Sequence, residues 1–151
     1  MRRAIELIPP STAAREAARA TVTLSFEDRH RRRIRLIDDA GEPFLLDLPR
    51  ATQMQHGDLL RLEAGGSIEV RAAVEPVLEA SCTTIEDTAR IAWHIGNRHT
   101  PVQVLANGRL RLRHDHVLKD MLLGLGARVD EGEAPFAPES GAYHSGHGHA
   151  H

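Results

Sequence analysis

A chain of 151 residues, 41% of them hydrophobic, can bury one ordinary core or two small ones, and with aromatics at 3% that core must be built from Leu, Ile, Val and Ala. A formal charge of -2 gives no global field for a polyanion, so no nucleic-acid partner is expected. One cysteine, Cys82, excludes an internal disulfide framework and any CxxC zinc or redox motif, and no apolar run approaches the roughly 20 residues of a membrane span.

Arg2-Arg3 is followed by the charge of Glu6 and by Pro9-Pro10, which leaves no apolar stretch for an export signal. The expectation is a soluble protein of the reducing cytoplasm. Residues 11–20, alanine-rich but short and preceded by two prolines, read as a loop. Residues 21–26 alternate, with Val22, Leu24 and Phe26 on one side and Thr21, Thr23 and Ser25 on the other, and Ile34 and Leu36 continue that period of two. The turn signal Asp38-Asp39-Ala40-Gly41 precedes the strand around Phe44-Leu45-Leu46, and residues 59–62 form another strand before Ala64-Gly65-Gly66-Ser67. This punctuation predicts a small antiparallel β-domain over residues 1–72, a candidate peptide- or partner-binding module.

Residues 68–78 read as one strand, with Pro76 marking an edge or a bulge. Thr83 with Glu86 three residues on has the form of a capping box, and Ile85, Ala89, Ala92 and Trp93 follow at helical spacing up to a stop at Gly96. Residues 102–105 and 110–112 form a hairpin through Asn107-Gly108. Asp115 caps a second helix carrying Leu118, Met121, Leu122 and Leu125 and closed by Gly126, and Val129 lies in a last short strand. Strand, helix, strand, strand, helix, strand is the order of a ferredoxin-like βαββαβ unit, assigned to residues 73–139. Residues 132–139 are predicted to hold no regular structure, and residues 140–151 form a flexible tail. The fold class is α+β.

Histidine is the outlier of this composition, with ten residues of which His144, His147, His149 and His151 fall in the last eight positions. Neutral imidazole ligates Ni(II), Cu(II) and Zn(II), and a run interleaved with Ser, Gly and Ala can wrap any of them. Acidification releases such a metal, because only the neutral ring binds it. His114 and His116 stand at i and i+2, where an extended backbone directs both rings to one side; two exposed polar residues beside a helix cap is the plainer reading. His94 and His99 are five apart and do not share a helical face, and by spacing alone His99 is only a histidine at a helix end. His30 and His56 read as surface residues. Cys82 reads as a small buried residue ahead of the first helix. No nucleophile elbow, HExxH motif or glycine-rich phosphate loop occurs, so no enzymatic activity is expected.

Three ordered segments, Trp93-His94-Ile95-Gly96-Asn97-Arg98-His99, Asp115-His116-Val117-Leu118-Lys119-Asp120-Met121-Leu122 and Phe136-Ala137-Pro138-Glu139-Ser140-Gly141-Ala142-Tyr143, resemble the urease accessory protein UreE family of nickel metallochaperones. Leu48-Pro49-Arg50 and His56-Gly57-Asp58 extend the likeness into the first half. The resemblance implies a homodimer with Ni(II) on its two-fold axis, held by His99 from both subunits and completed by the tail histidines. It implies a peripheral site at His114 and His116. The client it implies is the urease apoprotein, served together with a GTPase accessory protein. A nickel or zinc buffer without a dedicated client is the alternative, and the same sites would accept Zn(II) or Cu(II).

Overall fold

The computed structural model describes residues 1–11 and 17–140; the expected loop at residues 12–16 and the tail from residue 141 onward, with its four histidines, lie outside the described residues. The chain divides into two compact units, Met1–Ala73 and Val74–His151.

The first unit holds β1 (Arg2–Ile8), β2 (Ala20–Leu24), β3 (His30–Ile37), β4 (Pro43–Gln53), β5 (Leu59–Leu62) and β6 (Ser67–Ala72) in one sheet of order β2-β6-β5-β1-β4-β3. Period-two alternation drives it: Phe44, Leu46 and Leu48 turn inward from β4 and meet Val22, Leu24, Leu36, Leu60 and Val70 in one apolar cluster. The sheet is mixed rather than wholly antiparallel, because β1 pairs with β4 and β2 with β6 in parallel. Those partners are far apart in sequence, so nothing in the local alternation reports their direction. Strand β1, an inner strand, has no clear signature in the sequence. It buries Ala4 while Arg2, Arg3 and Glu6 reach carboxylates or arginines on neighbouring segments, so its polar pattern looked unlike a strand.

The turn after β3 is built as the sequence suggests. The Asp38 carboxylate accepts from the amides of Ala40 and Glu42, both at 2.9 Å, and from Arg2 at 2.8 Å, while Gly41 takes φ +88°.

The second unit holds β7 (Val74–Ser81), α1 (Ile85–Asn97), β8 (Gln103–Val104), β9 (Leu110–Arg113), α2 (His116–Gly124) and β10 (Arg128–Pro135). Its sheet runs β10-β7-β9-β8 and is antiparallel throughout, the ferredoxin-like order with the first strand of the unit inside. Ile91 and Ile95 of α1 and Leu122 of α2 pack on Ala80, Leu110 and Leu112 of the sheet. The β8–β9 hairpin turns through Asn107 and Gly108, both at positive φ (62° and 73°), as an Asn-Gly turn requires.

Four details correct the sequence reading. Residues 68–78 form two strands, β6 and β7, which belong to different units and break at Ala73. Pro76 lies in an inner strand; its carbonyl accepts from the His114 amide, so its missing N–H faces the side where the β9 ladder has already ended at Val77 and Arg113. Thr84, not Thr83, caps α1, accepting from the Asp87 amide at 3.1 Å. Finally, β10 continues through Gly132 to Pro135, because β7 offers a complete ladder up to Val74 and an edge strand tolerates the terminal proline.

Candidate metal centre

Both helices of the second unit end in the same backbone device. At the end of α2 the Gly126 amide donates to the Leu123 carbonyl and the Ala127 amide to the Leu122 carbonyl, both at 3.0 Å, with Gly126 at φ +88°. At the end of α1 the His99 amide donates to the Gly96 carbonyl at 3.0 Å and the Thr100 amide to the Ile95 carbonyl at 3.3 Å, with His99 at φ +56°. Each is a Schellman motif, whose left-handed position glycine fills without penalty. At α1 a histidine occupies it. A non-glycine residue held in this region signals a retained constraint, and such positions cluster at functional sites. The His99 ring is exposed and makes no hydrogen bond or ion pair among the described residues.

The end of the described chain approaches this corner. After β10, Phe136 is fully buried, and the next residues dock on the open edge of β8. The Ala137 amide donates to the Gln103 side chain at 3.0 Å, the Glu139 amide to the Val102 carbonyl at 2.8 Å, and the Val104 amide to the Glu139 carboxylate at 3.3 Å. Val102 is three residues from His99, so the root of the tail lies within about 10 Å of chain from it. Residues 136–139 carry no periodic pattern that would signal this docking; the only sign of a role in the sequence is the family-like motif they belong to.

His114 follows β9, and Asp115 caps α2, accepting from the Val117 and Leu118 amides at 2.8 and 3.1 Å. Those amides, that of Leu118 first, hold the Asp115 carboxyl below the usual carboxylate range. His114 Nε2 lies 2.8 Å from Glu131, whose carboxylate also meets Lys119 at 3.3 Å; the His114 contact leads in lowering the Glu131 carboxyl. His116 is the first residue of α2 and is exposed. Thr100, beside His99, and His114 line one shallow depression of about 470 Å3. The two histidine segments therefore share one region, yet among the described residues no three His, Cys, Asp or Glu side chains converge to hold an ion.

His94 stacks edge-to-face on Trp93, with centroids 5.0 Å apart. His56 is structural as well: its Nδ1 accepts the Ala72 amide at 3.1 Å, which the sequence reading did not foresee. Cys82 packs half-buried against the second cluster, and burial pushes its thiol up.

The helix α1 carries two apolar stripes. Ile91 and Ile95 face the core, while Ile85 (84% exposed), Ala89, Ala92 and Trp93 (62% exposed) face out, on the same helix whose end presents His99. No helix among the described residues is long and apolar enough to cross a membrane.

These features define a two-domain α+β protein in which a mixed β-sheet unit precedes a ferredoxin-like unit presenting histidine at a helix terminus. The family model described as UreE urease accessory protein, N-terminal domain, matches residues 4–73, and the one described as its C-terminal domain matches residues 75–151. The chain belongs to the UreE urease accessory protein family. It is 52% identical over 128 residues to the urease accessory protein UreE of Rhodopseudomonas palustris strain BisB18, covering 85% of this chain and 60% of the relative. With that of Bradyrhizobium sp. strain ORS 278 it shares 54% over 129 residues (85% and 61% covered), and with that of Chelativorans sp. strain BNC1 49% over 142 residues (93% and 89% covered). The chain thus spans about 60% of the length of the first two relatives.

Proposed function

We propose that this protein is a nickel metallochaperone that carries Ni(II) to apo-urease during assembly of the urease metallocentre, and that it is not itself an enzyme. Membership of an accessory-protein family over both units supports the urease role. The observation that supports the metal reading is the docking of Glu139 on Val102, three residues along the chain from His99. From Glu139 to His144 is five residues, a reach of up to about 17 Å, ample to bring a tail ring to the helix end.

The working form is a homodimer. The outward stripe of Ile85, Ala89, Ala92 and Trp93 is an apolar face on the helix that ends at His99, and an exposed apolar face of that kind calls for a partner. An isologous contact across it brings His99 of both subunits to the two-fold axis, so one histidine per chain supplies two ligands. His144, His147, His149 and His151 complete the coordination, and His114 and His116 form a peripheral site. An all-imidazole set suits Ni(II) and admits Zn(II) or Cu(II). Withdrawal of a tail ring leaves the ion under-coordinated and open to the next carrier. The chain has no phosphate loop, so GTP hydrolysis accompanying delivery belongs to a separate accessory GTPase.

Calorimetric titration with Ni(II) tests this reading. One tight ion per dimer is expected in the full chain, lost in His99→Ala, with further weak binding lost on truncation after Gly141. Unchanged stoichiometry and affinity in both variants would refute the site. A nickel-limited strain lacking the protein yet retaining full urease activity would refute delivery in favour of a passive buffer.

A further inference from the structure

Strand β3 forms one edge of the six-stranded sheet and carries Arg31-Arg32-Arg33-Ile34-Arg35. Its ladder with β4 is interrupted: Arg31 stands opposite Thr52 and Arg33 opposite Asp47, so residues 48–51 of β4 bulge opposite Arg32. Within that bulge Leu48 is buried while Pro49 and Arg50 are exposed, which turns Arg50 outward across from Arg32.

Several arginines of this unit are held by carboxylates. Arg2 meets Asp38 at 2.8 Å, Arg3 meets Asp47 at 2.6 Å and Glu63 at 2.9 Å, Arg31 meets Asp28 at 3.0 Å, and Arg61 meets Glu6 at 2.6 Å. Arg32, Arg33, Arg35 and Arg50 are exposed, and among the described residues none has a carboxylate within 4.0 Å. Asp47, across the ladder from Arg33, is already engaged by Arg3 through two hydrogen bonds of 2.6 and 2.9 Å. Edge strands often carry a charge that blunts self-association. Arg32 and Arg33 act on Asp47 only from beyond contact, behind Arg3, and four guanidiniums together, one of them delivered by a bulge on the neighbouring strand, exceed that need.

We propose that the β3 edge and the β4 bulge form a docking surface for an acidic, extended segment of a partner protein. Guanidinium forks take carboxylates in bidentate pairs, and an edge strand offers free backbone groups to an extended chain. Charge favours a protein segment over nucleic acid, because the chain as a whole carries -2 and offers no global field to a polyanion.

The test uses the full chain and a fluorescein-labelled dodecapeptide alternating glutamate with valine, followed by fluorescence anisotropy. Saturable binding that weakens with salt is expected, with no binding of the same peptide carrying glutamine for glutamate. Replacing Arg32, Arg33, Arg35 and Arg50 together by glutamine should weaken it by about tenfold or more, since each exposed charge contact contributes a few-fold. The pair Arg32→Glu with Arg50→Glu, checked for an unchanged thermal transition, provides a second reading should the quadruple variant misfold. Arg90→Gln with Arg128→Gln, on the other unit, should leave binding unaltered. Native affinity in the patch variants, equal weakening in the control, or tighter patch-dependent binding of a DNA duplex would each overturn the proposal.

Discussion

Replacing His99 by glycine should stabilise the metal-free protein while abolishing the tight nickel binding proposed for that residue. Holding a non-glycine residue in the left-handed region costs roughly 1–2 kcal/mol, somewhat less for histidine, which visits it more readily than most residues. Glycine removes that strain but gains backbone freedom in the unfolded chain, which gives back roughly 0.4–1 kcal/mol. The exposed ring has no hydrogen bond to lose among the described residues. The net is a gain of about 0.5–1 kcal/mol, a rise of about 3–6 °C in the transition of a unit this size. Thermal unfolding followed by circular dichroism, in the presence of chelator, reads it directly. The matched control is Gly126→Ala at the end of α2. There φ is +88° and an added Cβ meets nothing within 4 Å, so only backbone strain acts, and a loss of about 1 kcal/mol is expected. A destabilised or unshifted His99→Gly, with Gly126→Ala behaving as stated, would refute the argument that His99 sits in a glycine position at the expense of stability.

Thr84→Ala should destabilise the second unit by about 1 kcal/mol through loss of the helix cap, whereas Thr83→Ala should be nearly neutral; chemical denaturation distinguishes the two. Phe136→Ala, at a fully buried ring, should cost about 3–5 kcal/mol and loosen the adjoining tail root, seen as faster amide exchange at Glu139. Acid titration offers a fourth check. The amides of Glu42 and Ala40, with the Arg2 guanidinium, hold the Asp38 carboxyl below the usual range, the Glu42 amide contributing most. A carboxyl depressed in the folded state lends stability above its unfolded value near 3.8, lost as pH falls from there through the folded value. Asp38→Asn should therefore be less stable than the native protein at neutral pH, with the difference shrinking below pH about 4.

The sequence by itself determined most of the local structure. Alternation in β2, β3 and β4, the Asn107-Gly108 turn, the Asp115 cap and the Gly126 stop are all short-range chemistry, and short-range chemistry is legible along the chain. The histidine-rich composition raises the expectation of metal binding in the same way. What lay outside its reach depends on partners distant in sequence. The parallel pairings of β1 with β4 and β2 with β6 have no local signature. Two apolar stripes on α1 satisfy the same helical period, and only packing against the sheet turned Ile91 and Ile95 inward and left Trp93 outside. The extension of β10 needed the ladder of β7, and the docking of Glu139 needed the open edge of β8. His99 is the sharpest case. By spacing it is one histidine among ten, and its resemblance to a family motif gave it a name without a reason. Tertiary structure adds the physical part: the chain holds it in a left-handed conformation that glycine would occupy at lower energy, a few residues from where the tail begins.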